Sequence, residues 1–121
     1  MDFNIPKRHF VSSKDKVLVV KIPAKMLKAL KKHSEALGWS HTALVDIVLD
    51  QFFHAIEGRQ RLPDHEYRYM EGERETLSLR LDMAVYEAIE GWVERSSTRP
   101  KISQLVFLAL DVFLSQAKIS K

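Results

Sequence analysis

The sequence contains no cysteine, only four glycines and four prolines among 121 residues, and no apolar run approaching the roughly 20 residues that span a bilayer. The lack of cysteine excludes disulfides and thiolate zinc sites and is typical of a cytoplasmic protein. The first residues have no apolar core of the signal-peptide type, so we expect neither export nor membrane association. A hydrophobic fraction of 45% and a charged fraction of 29% indicate a globular chain.

Catalytic and metal-binding motifs are equally scarce. The five histidines show no spacing typical of metal ligands, and no GxSxG, P-loop or GxGxxG segment occurs. Tyr67 and Tyr69 lie in a charged segment, but a strand-nicking enzyme would need a histidine cluster nearby to bind a metal. We therefore predict no metal, no cofactor and no enzymatic activity.

Positive charge is concentrated in the first half of the chain. Residues 16–56 carry six lysines and three acids, residues 57–75 carry four arginines and six acids, and residues 76–118 carry five of each sign. A basic cluster favours nucleic-acid binding, although a lysine-rich helix face is often only a solvated face. Those lysines are Lys16, Lys21, Lys25, Lys28, Lys31 and Lys32.

The chain contains an internal repeat. A shift of 61 residues places residues 43–52 over 104–113 with five identities, and a shift of 59 places residues 18–22 over 77–81. The second copy therefore has two extra residues near 96–101. A repeat of this kind indicates two copies of one small structural unit.

Each copy opens with an alternating run that is typical of a half-buried strand. Lys21 and Arg80 cannot be buried cheaply, so the opposite set of side chains must face the core. The predicted inward residues are Leu18, Val20, Ile22, Leu77, Leu79 and Leu81.

Two helices are predicted after each strand. Pro23 suits the start of a helix and Asp82 suits an N-cap, while Gly38 suits a left-handed helix end. Ser40 is a candidate N-cap for a second helix over about 41–56.

In the second copy, Pro100 and Ser103 mark the corresponding start, and that helix is predicted to run to about residue 118. These second helices are apolar on most sides, which indicates that they are largely buried.

A lone strand would leave its backbone unpaired and its apolar face uncovered, whereas two paired strands avoid both costs. The predicted fold is therefore mostly α with a two-stranded antiparallel ribbon, in which two fused strand–helix–helix units form an intramolecular pseudo-dimer. We predict an N-terminal arm at 1–15, a first unit at 16–56, a linker at 57–75 and a second unit at 76–118, with 16–118 as one compact domain.

These features resemble the ribbon–helix–helix family of MetJ/Arc-type DNA-binding proteins. The resemblance rests on residues 18–23 leading into a helix and on the turn Gly38-x-Ser40-x-Thr42 before an apolar helix, and it recurs at 76–81 and 103–113. In that family two paired strands enter the major groove of double-stranded DNA. Here both strands belong to one chain, which implies a monomer with internal pseudo-two-fold symmetry.

The resemblance implies two sets of DNA contacts. The outward residues of the ribbon would read base edges, with Arg80 suited to guanine and Val19 to a thymine methyl group. The starts of the second helices would bind phosphates through backbone amides. The base-reading set is Val17, Val19, Lys21, Thr76, Ser78 and Arg80. The phosphate-binding set is Ser40, His41, Thr42, Lys101, Ile102 and Ser103. The ordinary alternatives are solvent exposure for the first set and helix capping for the second.

Tandem members of this family include accessory proteins of plasmid relaxosomes and of T-DNA border processing. The resemblance therefore implies an accessory factor in plasmid or T-DNA processing and transfer, with other DNA-processing proteins as partners. Two alternatives remain, a transcriptional repressor and an antitoxin-like protein-interaction module. The sequence departs from the family pattern at Val17 and Val19, which occupy strand positions that are often polar in the family, and at 99–101, where Arg-Pro-Lys stands in place of the Gly-x-Ser turn.

Overall fold

The computed structural model describes residues 15–59, 62, 64–69, 72–96 and 98–116. The elements it shows are β1 (Asp15–Pro23), α1 (Ala24–Leu37), α2 (His41–Ala55), β2 (Arg74–Asp82), α3 (Met83–Arg95) and α4 (Ile102–Gln116). The described part of the chain is thus mostly helical with one two-stranded antiparallel sheet, in the predicted order of strand, helix, helix in each half. The predicted N-terminal arm lies outside the described residues, except for Asp15.

The ribbon is longer than the alternating runs predict. β1 and β2 pair over nine positions, from Asp15 opposite Asp82 to Pro23 opposite Arg74. The strands pair beyond the residues that alternate between apolar and polar, because strand pairing needs only opposed backbone N–H and C=O groups, whatever the side chains. As a result Arg74 and Glu75, the last two residues of the predicted linker, belong to β2.

The predicted phase of both strands is confirmed. Five of the six inward side chains are buried and Leu18 is partly buried against the same core. This face of the ribbon packs on the helices, and α4 is the most buried of them because nine of its 15 residues lie inside. Truncating such a residue to alanine typically costs about 2–5 kcal/mol, so this shared core holds both halves together.

The predicted helix ends are confirmed where the sequence signals were strong. Gly38 ends α1 at φ +75°, and the Trp39 amide donates to the Ser34 carbonyl at 2.9 Å. The Ser40 Oγ accepts from the Ala43 amide at 3.2 Å, and the Asp82 carboxylate accepts from the Ala84 amide at 3.0 Å. These bonds satisfy amides that a helix start leaves unpaired.

α4 begins differently from the way the sequence indicates. Its first residue is Ile102, so Ser103 lies inside the first turn. The Gln104 side chain accepts from the Lys101 amide at 3.1 Å, and the Leu105 amide donates to the Lys101 carbonyl at 3.2 Å. Lys101 therefore occupies the cap position, because a glutamine three residues later can supply the acceptor that its own side chain lacks.

Candidate nucleic-acid interface

The outer face of the ribbon displays all six predicted base-reading residues. They form three directly opposed pairs, Val17 with Arg80, Val19 with Ser78 and Lys21 with Thr76. All six are exposed, and the two valines keep 55% and 59% of their surface in contact with solvent. The two valines give this surface an apolar strip beside a polar one.

The register of the ribbon relates the two copies of the repeat. The pair in the middle of the nine is Val19 with Ser78, and these residues are 59 positions apart, which is the shift that superposes the two strands. On either side of it, Lys21 lies opposite Thr76 and Arg80 lies opposite Val17. The same shift of 59 relates Lys21 to Arg80, so the two cationic residues lie at equivalent distances from the middle of the ribbon.

The starts of the two second helices lie near opposite ends of the ribbon. In the second turn of α2, the buried Asp46 carboxylate accepts from the Asp82 amide at 3.2 Å, which holds α2 beside the end of β2. At the other end, Ser103 and Gln104 of α4 line a groove together with Lys21. Each helix therefore packs against the strand of the other half.

At the start of α2, the predicted phosphate-binding residues lie together. Ser40 is exposed, His41 and Thr42 are half-buried, and the two hydroxyl groups are 3.3 Å apart. Burial, and secondarily the charge of Lys31, lowers the pKa of His41 below its ordinary value. His41 is therefore mostly neutral near pH 7, and a nearby phosphate would favour its charged form.

At the start of α4, Lys101 and Ser103 are exposed and Ile102 is half-buried. The turn before it contains Arg99 at φ +43°, the only residue other than glycine with positive φ in the described part of the chain. Arg99 is 61 residues after Gly38 and therefore occupies the equivalent position in the second copy. Both residues have a left-handed backbone conformation, although only the first is a glycine. Lys101 correspondingly replaces Ser40, which puts a cation where the first helix has a hydroxyl.

Sequence reasoning missed a cationic and aromatic group beside this helix start. An open groove of about 440 Å³ lies between β1, β2 and α4, and Tyr67 and Phe107 line it with Lys21 and Arg74. The Tyr67 ring stacks on Phe107 at 5.1 Å with a 3° angle between the planes, and the Arg74 guanidinium lies 5.8 Å from the centre of the Phe107 ring. No sequence signal distinguished Phe107 from the other apolar residues of α4.

The segment that carries Tyr67 is held by a buried carboxylate. Asp111 is fully buried in α4 and accepts from His65 Nε2 at 2.7 Å, from the amides of Arg68 and Tyr69 at 2.9–3.2 Å and from Ser115 Oγ at 3.3 Å. Burial, and secondarily the charge of Asp111, raises the pKa of Tyr67. Residues 65–69 of the linker are thereby held against α4.

Among the described residues, no group of three or more His, Cys, Asp or Glu side chains could hold a metal ion. The described helices also include none whose length and apolar character would let it cross a bilayer.

Comparison of the chain with protein-family models, with curated proteins and with solved structures finds no match.

Proposed function

We propose that the chain is a tandem ribbon–helix–helix protein that binds double-stranded DNA sequence-specifically, with its ribbon in the major groove. The observation that carries the proposal is the ribbon register, in which equivalent residues of the two copies meet at the middle pair, Val19 and Ser78. Pairing about such a centre is what two identical strands adopt in a symmetric dimer. On this proposal one chain is the complete binding unit, an intramolecular pseudo-dimer.

The major groove, about 12 Å wide, admits a two-stranded β-ribbon. The three outward pairs would then face base edges, because they stand on the side of the ribbon away from the core. Arg80 can donate two hydrogen bonds to a guanine, Ser78 and Thr76 can donate or accept, and the methyl groups of Val17 and Val19 can pack on thymine.

Phosphates on either side of the groove would meet the two helix starts. Ser40, His41 and Thr42 offer hydroxyl groups and backbone amides at the positive end of the α2 dipole, and residues 101–103 offer the Lys101 charge and the amides of α4. Arg74 is exposed beside Lys21 and extends the cationic surface at the α4 end. Such contacts position the ribbon without reading sequence.

The biological setting that we propose is accessory DNA binding in plasmid or T-DNA processing and transfer, on the strength of the resemblance to tandem family members. A transcriptional repressor would use the same interface. For either role, the first test is selection of bound duplexes from a random pool, followed by titration of the selected site at several salt concentrations. Each neutralised phosphate should contribute about −0.9 to the log–log slope, whereas a flat salt response would indicate a protein-interaction module.

Base reading is tested with single substitutions on the selected site. Arg80→Ala should weaken binding by about 1–3 kcal/mol and relax the preference on one side of the site, and Lys21→Ala should act on the opposite side. Lys28→Ala removes a charge from the exposed face of α1 and is the matched control, expected to change all sequences equally. Uniform weakening by all three variants would refute base reading by the ribbon.

A further inference from the structure

The exposed faces of the two first helices carry opposite charges at the same helical spacing. On α1 the exposed residues Lys25, Lys28 and Lys32 lie at i, i+3 and i+7. On α3 the exposed residues Glu87, Glu90 and Glu94 have the same spacing. Residues at this spacing line one face of a helix, so each set forms a stripe about 10 Å long. We call them the lysine stripe and the glutamate stripe.

The two stripes differ in shape as well as in charge. The lysine stripe borders an open groove of about 590 Å³ whose lining includes Ala24 and Leu27, with two carboxylates, Glu35 and Glu75, among its four lysines. Ala84 and Ala88 are also exposed, so small side chains border one side of the glutamate stripe. A glutamate stripe that is bordered by alanines can approach a groove between lysines closely.

The stripes cannot neutralise each other within one molecule. α2 and α4 each contact both α1 and α3, whereas α1 and α3 make no contact with each other. The two faces are therefore separated by the second helices. Opposite charges that are fixed on separate faces of one molecule can pair only between molecules.

We infer that the lysine stripe of one molecule docks on the glutamate stripe of a second copy, so that chains associate head to tail. Because the two faces differ, the contact is heterologous and can repeat into an open array. Each exposed ion pair strengthens association by about fivefold at most, so the contact is weak in free solution. Alignment of molecules on neighbouring DNA sites would raise the effective concentration, although the contact itself does not require DNA.

The test is sedimentation velocity of the full chain without DNA, as a function of protein concentration. At about 0.01 M salt, where charges act over roughly 30 Å, the weight-average sedimentation coefficient should rise with concentration, and at about 1 M salt the rise should vanish. Two charge-reversal variants, each measured alone, should show no rise in the sedimentation coefficient with concentration. One carries Lys25→Glu, Lys28→Glu and Lys32→Glu, and the other carries Glu87→Lys, Glu90→Lys and Glu94→Lys. An equimolar mixture of the two should regain the rise.

Two controls separate specific pairing from an effect of net charge. A chain that carries all six reversals keeps the net charge of +3 and should self-associate like the parent. A chain with Asp50→Lys, Asp64→Lys and Glu66→Lys changes the net charge as much as the glutamate reversal does, at exposed sites outside both stripes, and should keep the rise. Circular dichroism confirms that each variant is folded.

A parent that shows no concentration dependence at low salt overturns the inference, as does association that survives reversal of either stripe alone. A third outcome also overturns the inference: reversal of the lysine stripe abolishes DNA binding, while reversal of the glutamate stripe leaves self-association intact. The lysine stripe would then bind phosphate and not a second copy of the chain. Because self-association is measured without DNA, its failure leaves the proposed DNA binding untouched.

Discussion

The two halves of the molecule present similar apolar side chains to a shared core and different side chains to solvent. The first half comprises residues 15–59 and the second comprises residues 72–116. Val20 and Ile22 of the first half are buried like Leu79 and Leu81 of the second. On the outer face of the ribbon, by contrast, Val17 corresponds to Thr76. On the ribbon, therefore, an outward position has exchanged an apolar for a polar side chain, whereas the inward positions have stayed apolar.

Equivalent positions of the two halves need not have equivalent environments. Asp50 and Asp111 are identical residues 61 positions apart, yet Asp50 is exposed and Asp111 is fully buried. The linker causes this difference, because it folds over α4 and supplies the donors that a buried carboxylate needs.

The largest effect is expected at that aspartate pair. Asp111→Ala leaves the amides of Arg68 and Tyr69 without their acceptor and should lower the free energy of unfolding by about 3–5 kcal/mol. Asp50→Ala, at the exposed equivalent, should change it by less than about 0.5 kcal/mol. Urea unfolding of both variants measures the difference. Equal losses would mean that the linker does not anchor the second half.

The second prediction removes the asymmetry of the ribbon. The substitutions Val17→Thr, Val19→Ser and Lys21→Arg give β1 the same outward residues as β2. Because operator symmetry mirrors protein symmetry, this variant should select a palindromic site, whereas the parent should select an asymmetric one. Each altered base preference should amount to about 1–3 kcal/mol. Selection from a random pool provides the measurement, and palindromic sites for both proteins would refute the asymmetric reading.

The third prediction compares the two turns. Gly38 has φ +75°, and a Cβ there would meet nothing within 4 Å, so Gly38→Ala should cost about 1 kcal/mol through backbone strain alone. Arg99 already bears such strain at φ +43°, so Arg99→Gly should be neutral or stabilise by up to about 1 kcal/mol. Thermal unfolding measures both changes. Destabilisation by Arg99→Gly would show that the arginine side chain contributes more than its backbone costs.

The smallest effect concerns pH at the two helix starts, where His41 corresponds to Ile102. The pKa of His41 is lowered on folding from 6.5, so the unfolded chain binds more protons below pH 6.5. The contribution of His41 to stability should therefore be present above pH 6.5 and be lost as the pH falls below it. DNA affinity should change in the opposite direction, by less than about tenfold, because phosphate favours the charged imidazole.

His41→Ile is the matched variant for this prediction, since it gives α2 the residue that α4 has. In this variant the stability should decrease less at low pH. The gain in DNA affinity that His41 provides at low pH should be absent. Urea unfolding and fluorescence anisotropy at pH values on both sides of 6.5 give the two readouts. An unchanged pH dependence of binding would remove His41 from the phosphate contacts.

Much of the local structure could be predicted because its causes are local. Lys21 and Arg80 determine the phase of their strands, since a charged side chain cannot be buried cheaply. Gly38 and Ser40 end and begin helices through bonds to residues no more than five positions away. Ser103 misled the prediction of the α4 start, because the Gln104 side chain satisfies the Lys101 amide instead.

Periodicity and capping depend on neighbours along the chain, so they were enough to predict the strand–helix–helix order of each half, the faces of both strands and the outward residues. Three features depend on the packed molecule: the register with Val19 and Ser78 as the middle pair, the burial of Asp111 beneath linker residues and the stacking of Tyr67 on Phe107. These contacts join residues about 40–60 positions apart. They form only when the helices and the ribbon close around one core, and no local pattern records which distant residues that closure brings together.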